Sequence, residues 1–284
     1  MLHFIKRQVA RFKQKKYGVT EYGTTVHTNH IEGYGEVKFA QWMHPSEKQV
    51  ILSKSHVDFY KQLAREGGTI VDIGTHTGDT TVPMALAVGK EGLVIGLEPN
   101  RYVFKILEEN AALNKELTNI EVYCFAATKE DGEFVFNYSD ASFCNGGFLT
   151  EIENQKHNHN YELEVIGKNL QNFLFEKYAD RLDKLDLIKI DAEGYDKEIL
   201  KTLPEILTTY KPNLMIECYK KLTSEEREEL FDVVHNAGYQ LFYLENFEDN
   251  GKKVAISKEQ MNDQKHFEML AIHKDRLQDF LARI

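Results

Sequence analysis

A chain of 284 residues with 42% apolar and 28% charged residues has the make-up of a soluble globular protein, sized for one large α/β domain with additions or at most two small ones. The formal net charge of -10 argues against non-specific nucleic-acid binding by the molecule as a whole, and no apolar run approaches the length needed to span a bilayer. Cys124, Cys144 and Cys218 are odd in number and lack metal-ligand spacing, so reduced thiols in a cytoplasmic setting are the simplest account.

The N-terminus breaks with the acidic average. Lys6, Arg7, Arg11, Lys13, Lys15 and Lys16 precede the first acidic residue, Glu21, and Leu2, Phe4, Ile5, Val9 and Phe12 are interleaved with them at loosely helical spacing. This predicts a basic amphipathic helix, lying on the inner face of an anionic membrane or docking on the domain or on a second subunit. It lacks the continuous apolar core of a signal peptide. Trp42-Met43-His44-Pro45 and Tyr34 are lid candidates, with His44 a second-rank candidate base and packing its more ordinary role. Residues 46–65 carry Ile51, Leu52, Val57, Phe59, Tyr60 and Leu63 at helical spacing.

After Gly67-Gly68 the first strand reads as Thr69 to Ile73, followed by a turn bearing Gly74 and Gly78 and a helix from Asp79 to about Val88. A second strand, Leu93 to Leu97, ends in Glu98, and Pro99-Asn100 caps a helix to about Asn114. A third strand, Ile120 to Phe125, follows. Glu133 to Tyr138 and Tyr161 to Ile166 alternate in the strand manner around the polar stretch Ser139 to Asn160. They predict a hairpin-like insertion with a long loop near the mouth of a site. His157 and His159 in that loop have no further ligand in view, which favours solvent over a metal. A helix over Leu170 to Tyr178 leads to a fourth strand, Leu185 to Ile190, ending in Asp191-Ala192-Glu193-Gly194, and a helix follows to about Leu203. The fifth strand, Asn213 to Ile216, ends in Glu217-Cys218; a helix capped by Thr223 or Ser224 and the strands Tyr239 to Leu244 and Phe267 to His273 complete the chain. This alternation predicts an α/β fold with a doubly wound, mostly parallel seven-stranded sheet and one antiparallel strand.

A strand, a glycine turn, a helix and a second strand ending in an acidic residue form a nucleotide-binding layout. Glycine lets backbone approach a ligand, and Glu98 is placed to accept both hydroxyls of a ribose. Gly74 and Gly78 are separated by three residues, with the bulky His76 where a pyrophosphate would need bare backbone, so the spacing argues against a dinucleotide. The D-x-G-x-x-x-G form instead resembles the first motif of class I S-adenosylmethionine (SAM) methyltransferases. That resemblance implies that backbone from Gly74 through Thr75 and His76 to Gly78 packs on the cofactor's tail and ribose. Thr80 would bond the tail carboxylate, and Asp72 would hold the loop or receive the tail ammonium. Pro99, Asn100, Ala126 and Asp191 complete the expected cofactor set beside Glu98.

A second signal is Asp186-Leu187-Ile188-Lys189-Ile190-Asp191-Ala192-Glu193-Gly194-Tyr195-Asp196. Together with the first motif, Gly96-Leu97-Glu98-Pro99-Asn100 and Met215-Ile216-Glu217, it resembles the FkbM family of methyltransferases over roughly Gly67 to Glu217. The resemblance implies a Rossmann-like class I fold and SAM-dependent O-methylation, commonly of hydroxyls on sugars or polyketide-type natural products. Cys218 stands where the family often has a further polar residue such as His. A hydroxyl attacking a sulfonium methyl must lose its proton as the new bond forms, and a carboxylate within reach can orient it and accept that proton. Asp191 is the favoured base, with Glu193 and Glu217 placed to hold other hydroxyls or share the role, and Lys189 to pair with one of them. Two carboxylates on adjacent tips also suit Mg2+ or a similar hard ion, a less favoured reading that leaves metal ligands unassigned.

The expected organisation is a basic helix and lid or substrate segment over residues 1–66, then a SAM-binding domain over 67–284 with the insertion at about 133–166. The expected partner is a small-molecule or glycan acceptor, with oligomerisation left open. The alternatives are a nicotinamide-dependent oxidoreductase, disfavoured by the glycine spacing and the lack of Tyr-x-x-x-Lys near the fourth strand, and a non-catalytic subunit of the same fold.

Overall fold

The computed structural model describes residues 20–138, 148–149, 161–244 and 253–282, so the expected basic helix, Cys144, His157 and His159 lie outside the described residues. The described chain opens with an antiparallel hairpin, β1 (Thr24–Ile31) and β2 (Gly35–Trp42), which the sequence pattern did not announce. The helix expected over residues 46–65 is shorter: α1 is Lys54–Leu63, with Ser53 as its cap accepting from the His56 amide. Val57, Phe59, Tyr60 and Leu63 share the buried face of α1, whereas residues 46–53 bury Leu52 but leave Ile51 65% exposed and run without regular structure.

The strands and helices that follow are β3 (Thr69–Ile73), α2 (Thr81–Val88), β4 (Leu93–Leu97), α3 (Arg101–Ala112) and β5 (Ile120–Tyr123). Beyond the insertion come α4 (Leu170–Lys177), β10 (Leu185–Ile190), α5 (Asp196–Lys201), β11 (Asn213–Cys218), α6 (Ser224–Asn236), β12 (Tyr239–Leu244), β13 (Val254–Ala255), β14 (Phe267–His273) and α7 (Lys274–Leu281). The insertion itself supplies β6 (Ala126–Thr128), β7 (Gly132–Tyr138), β8 (Phe148–Leu149) and β9 (Tyr161–Asn169). The main sheet runs β13-β12-β14-β11-β10-β3-β4-β5. The seven expected strands are all present, with β14 the expected antiparallel member and the two-residue β13 added at one edge.

Strands β3, β4, β10 and β11 are buried along their whole length, as parallel strands covered on both faces must be. Alternate residues go to opposite layers. Ile70, Leu187 and Met215 pack with α1 and α2, whereas Val71, Ile188 and Leu214 pack with α4, α5 and α6. The chain winds outward from β3 to β5 and then returns to place β10 on the other side of β3. That reversal opens a crevice at the carboxyl ends of β3 and β10, where ligands bind in folds of this class.

The third strand ends earlier than Phe125: the chain leaves the main sheet after Tyr123 and Ala126–Thr128 pairs in parallel with β9. β7 and β9 form the expected hairpin, in register from Gly132↔Gly167 to Tyr138↔Tyr161. Among the described residues, no helix is long and apolar enough to cross a membrane.

Candidate active site

The loop after β3 is held against the end of β10. The Asp191 amide donates to the Ile73 carbonyl, and a Cβ at Gly74 (φ +76°) would stand 2.0 Å from the Asp191 carbonyl oxygen. Only glycine fits there, which makes this contact the reason for the first motif glycine. Gly78 closes the loop at φ +95°. Between them His76 takes φ +50°, a left-handed conformation that a branched ring adopts at a cost and that clusters at functional sites. Asn110 stitches the loop to the N-terminal hairpin, donating to the carbonyls of Thr77 and Ala40 and accepting from the Ala40 amide.

Beneath the loop lies a buried charge network. Asp72 is fully buried and accepts from the hydroxyls of Thr80 (3.1 Å) and Thr81 (2.7 Å). Lys189 Nζ lies 3.3 Å from Asp72 Oδ1 and 3.5 Å from Asp191 Oδ2. Burial works against the ammonium, but the two carboxylates outweigh it and hold its pKa well above the ordinary value. Asp72 therefore holds the loop from within, the first of its two expected roles, and its enclosure keeps it from a ligand's ammonium. The Thr80 hydroxyl is turned to Asp72 rather than displayed for a tail carboxylate.

Glu98 is buried at the tip of β4, accepting from the amides of His76 (3.1 Å) and Asn100 (2.7 Å). Asn100 accepts from the Tyr102 amide as the cap of α3, and its Nδ2 is buried without a hydrogen-bond partner. Pro99 follows Glu98 in the same tip, with its carbonyl facing Cys124 Sγ. Ala126 is buried in the small sheet with Phe136, Tyr138 and Leu163.

A cleft of about 540 Å³ flanks the loop, lined by residues 46–51, His56, Tyr60, His76, Asp79, Thr80 and Pro83. Glu47 on its wall is pushed up to about 8, by burial first and the Asp79 charge second. His76 is lowered, chiefly by burial, with Asp79 and Asp191 opposing. Glu47 and Asp79 were missed from the sequence because residues 46–53 read as helix and Asp79 as a helix start.

At the mouth of β10 and β11 the carboxylates converge. Asp191 is partly exposed, its side chain 35% accessible. Asp196 is buried and accepts from the amides of Ala192 and Gly194, fixing the turn in which Glu193 adopts φ +50°. Glu193 and Asp196 both rise to about 7, from burial and then the Asp191 charge. Glu217, buried at the tip of β11, rises to about 10 for the same reasons in the same order. Glu268 on β14 rises to about 8. Glu268 and His266 were also missed, since only the pairing of β11 with β14 brings them to Glu217.

His44 does not join these groups. It is buried between Tyr22 and Trp42, with ring centroids 4.8 and 4.7 Å away, and its Nδ1 accepts from the Ser46 amide. Its place is in packing, which corrects its candidacy as a base. Tyr34 packs against α1, with Lys61 over its ring, and not over the cleft.

A family model described as "Methyltransferase FkbM domain" matches residues 72–241. The chain belongs to the FkbM methyltransferase family. No curated protein matches it significantly. Solved structures similar to this FkbM methyltransferase include a methyltransferase FkbM from Methylobacillus flagellatus KT, at 14% identity and TM-score 0.41, covering 78% of this chain and 51% of that one. A SAM-dependent O-methyltransferase from Thermotoga maritima is 14% identical at TM-score 0.42, with 85% and 75% covered. The precorrin-6y C5,15-methyltransferase of Geobacter metallireducens GS-15 is 12% identical at TM-score 0.42, with 79% and 90% covered. At such distances it is the family match that decides the assignment. In this FkbM chain the matched span holds Asp72 through Glu217 of the site, whereas the wall at residues 46–51 and β14 with Glu268 lie outside it.

Proposed function

We propose that this methyltransferase transfers the methyl group of SAM to a hydroxyl of a sugar, a glycan or a glycosylated natural product. The observation that carries the reading is the convergence of Asp191, Glu193 and Glu217 at the crevice mouth, beside the glycine loop that Glu98 holds through the His76 amide. The chain's residues fit the cofactor: Glu98 suits a ribose diol, the partnerless Nδ2 of Asn100 suits an acceptor atom, and Gly74 and Gly78 leave backbone uncovered. Thr75, His76 and Pro99 line the same loop and tip. When bound, SAM supplies an electrophilic methyl on a sulfonium.

Asp191 is the base. It is partly exposed where its neighbours are buried, and Lys189 Nζ, 3.5 Å away, fixes its orientation. With SAM bound, it would accept the hydroxyl proton as the acceptor oxygen takes the methyl group and the sulfur–methyl bond breaks to leave S-adenosylhomocysteine. Glu193 and Glu217, driven toward their neutral forms, both donate and accept hydrogen bonds, which is what the vicinal hydroxyls of a polyol require. The family match removes the ground for a nicotinamide enzyme.

Two measurements test the reading. S-adenosylhomocysteine should raise the melting temperature while NAD leaves it unchanged. With methyl-labelled SAM and a panel of glycosides, glycans, peptides and oligonucleotides, label should enter the carbohydrates, and Asp191→Asn should lower the rate by about 10²–10⁴-fold with S-adenosylhomocysteine affinity kept. Label entering only peptide or nucleic acid would overturn the acceptor class.

A further inference from the structure

We propose that Glu217, His266 and Glu268 form a binding site for a divalent cation that accepts mixed carboxylate and imidazole ligands, such as Mn2+. The ion's role rests on the methyl-transfer reading; its presence does not.

Strand register carries the inference. β11 and β14 pair antiparallel with Glu217 directly opposite Glu268. Two carboxyl groups in that relation cannot both ionise without repulsion, and a cation between them removes that cost. His266, immediately ahead of β14, completes the set, its Nδ1 3.5 Å from Glu217 Oε1. One donor atom from each of the three lies within 4.8 Å of the others. Two ligands facing each other across an ion at about 2.1 Å would be about 4.2 Å apart, so small rotamer adjustments close the shell.

A second observation points the same way. The Glu217 side chain is only 8% exposed, and its Oε2 is buried with no hydrogen-bond partner among the described residues. A buried acceptor in that state calls for a ligand. Of the nearby protein cations, Lys189 is paired with Asp72 and Asp191, Arg227 bonds the carbonyls of Tyr219, Leu222, Met261, Gln264 and Lys265, and Lys220 acts on His266 and Glu193. Arg227 thereby fixes the loop that presents His266. The Asp191 charge acts on both glutamates, so an ion held here lies beside the proposed base, where it would lower the pKa of an acceptor hydroxyl.

The test uses the full chain stripped with EDTA and titrated with MnCl2, read by calorimetry and by loss of the free Mn2+ resonance signal. The wild type should bind Mn2+ saturably and melt higher with it. Glu268→Gln should weaken Mn2+ binding about tenfold or more while raising the melting temperature of the metal-free protein at alkaline pH, where both carboxyls of the wild type ionise and repel. His266→Ala should weaken binding without that rise. No saturable binding to the wild type, or wild-type Mn2+ affinity in both variants, would overturn the site. S-adenosylhomocysteine binding in the same metal-free protein keeps the two readings apart. If it persists without any Mn2+ affinity, the ion alone is lost; if Mn2+ binds and S-adenosylhomocysteine does not, the methyl-transfer reading is lost.

Discussion

Single residues under the crevice show how charge is spent on geometry. Lys189 and Asp72 are both buried, and neither has water to fall back on. Replacing Lys189 with Met leaves the Asp72 carboxylate uncompensated, and the expected loss is on the order of 3–5 kcal/mol of unfolding free energy in urea titrations. A loss under about 1 kcal/mol would mean that the pair contributes little. Glu98 works differently, since its carboxylate serves two backbone amides and, in the proposed function, a ribose as well. Glu98→Gln keeps the shape but gives up charge, so S-adenosylhomocysteine should bind roughly 10–100-fold more weakly by calorimetry. Asp72, Gly74 and Glu98 were legible from the sequence because strand-turn-helix spacing dictates their positions. Which of them faces a ligand and which faces inward was not, because the inward turn of Asp72 depends on Lys189, more than a hundred positions away.

Among elements, the decisive contact is between the loops after β3 and β10. Gly74→Ala would force a Cβ toward the Asp191 carbonyl and impose a left-handed backbone on alanine. The backbone term alone is about 1–3 kcal/mol, and the steric term adds to it. The variant should melt lower and lose S-adenosylhomocysteine binding together, because the same movement displaces the glycine loop on which the cofactor would pack. Unchanged melting with binding lost would separate the two effects and contradict this coupling. The helix predicted over residues 46–65 shows the opposite limit of local pattern. Apolar residues occur there at helical spacing, yet only the second half finds a buried face, and the first half becomes the wall of the cleft.

For the whole molecule, the converging carboxylates set a pH dependence. Glu47 at about 8 and Glu193 and Asp196 at about 7 stand above their ordinary values of 4.5, 4.5 and 3.8. The folded state holds these protons more tightly than the unfolded chain does, so their contribution is full below those ordinary values and is lost as pH rises through the folded ones. His76, lowered by burial, acts in the opposite sense below its ordinary 6.5. In EDTA at fixed ionic strength, the melting temperature should therefore fall from pH 6.5 to about pH 8. A flat or rising profile would show that the cluster is relaxed or solvated.

The sequence by itself determined the order of strands and helices, the glycine loop, the acidic strand tips and the family. All but the family follow from periodicities and spacings that act within a few tens of residues, and the family from the motifs it resembles. Tertiary structure alone decided that His44 is packed among aromatics, that Thr80 serves Asp72, and that Glu47 and Asp79 border the cleft. It also brought Glu268 opposite Glu217, since the pairing of two strands some fifty residues apart is set by the packing of the whole sheet and not by either segment.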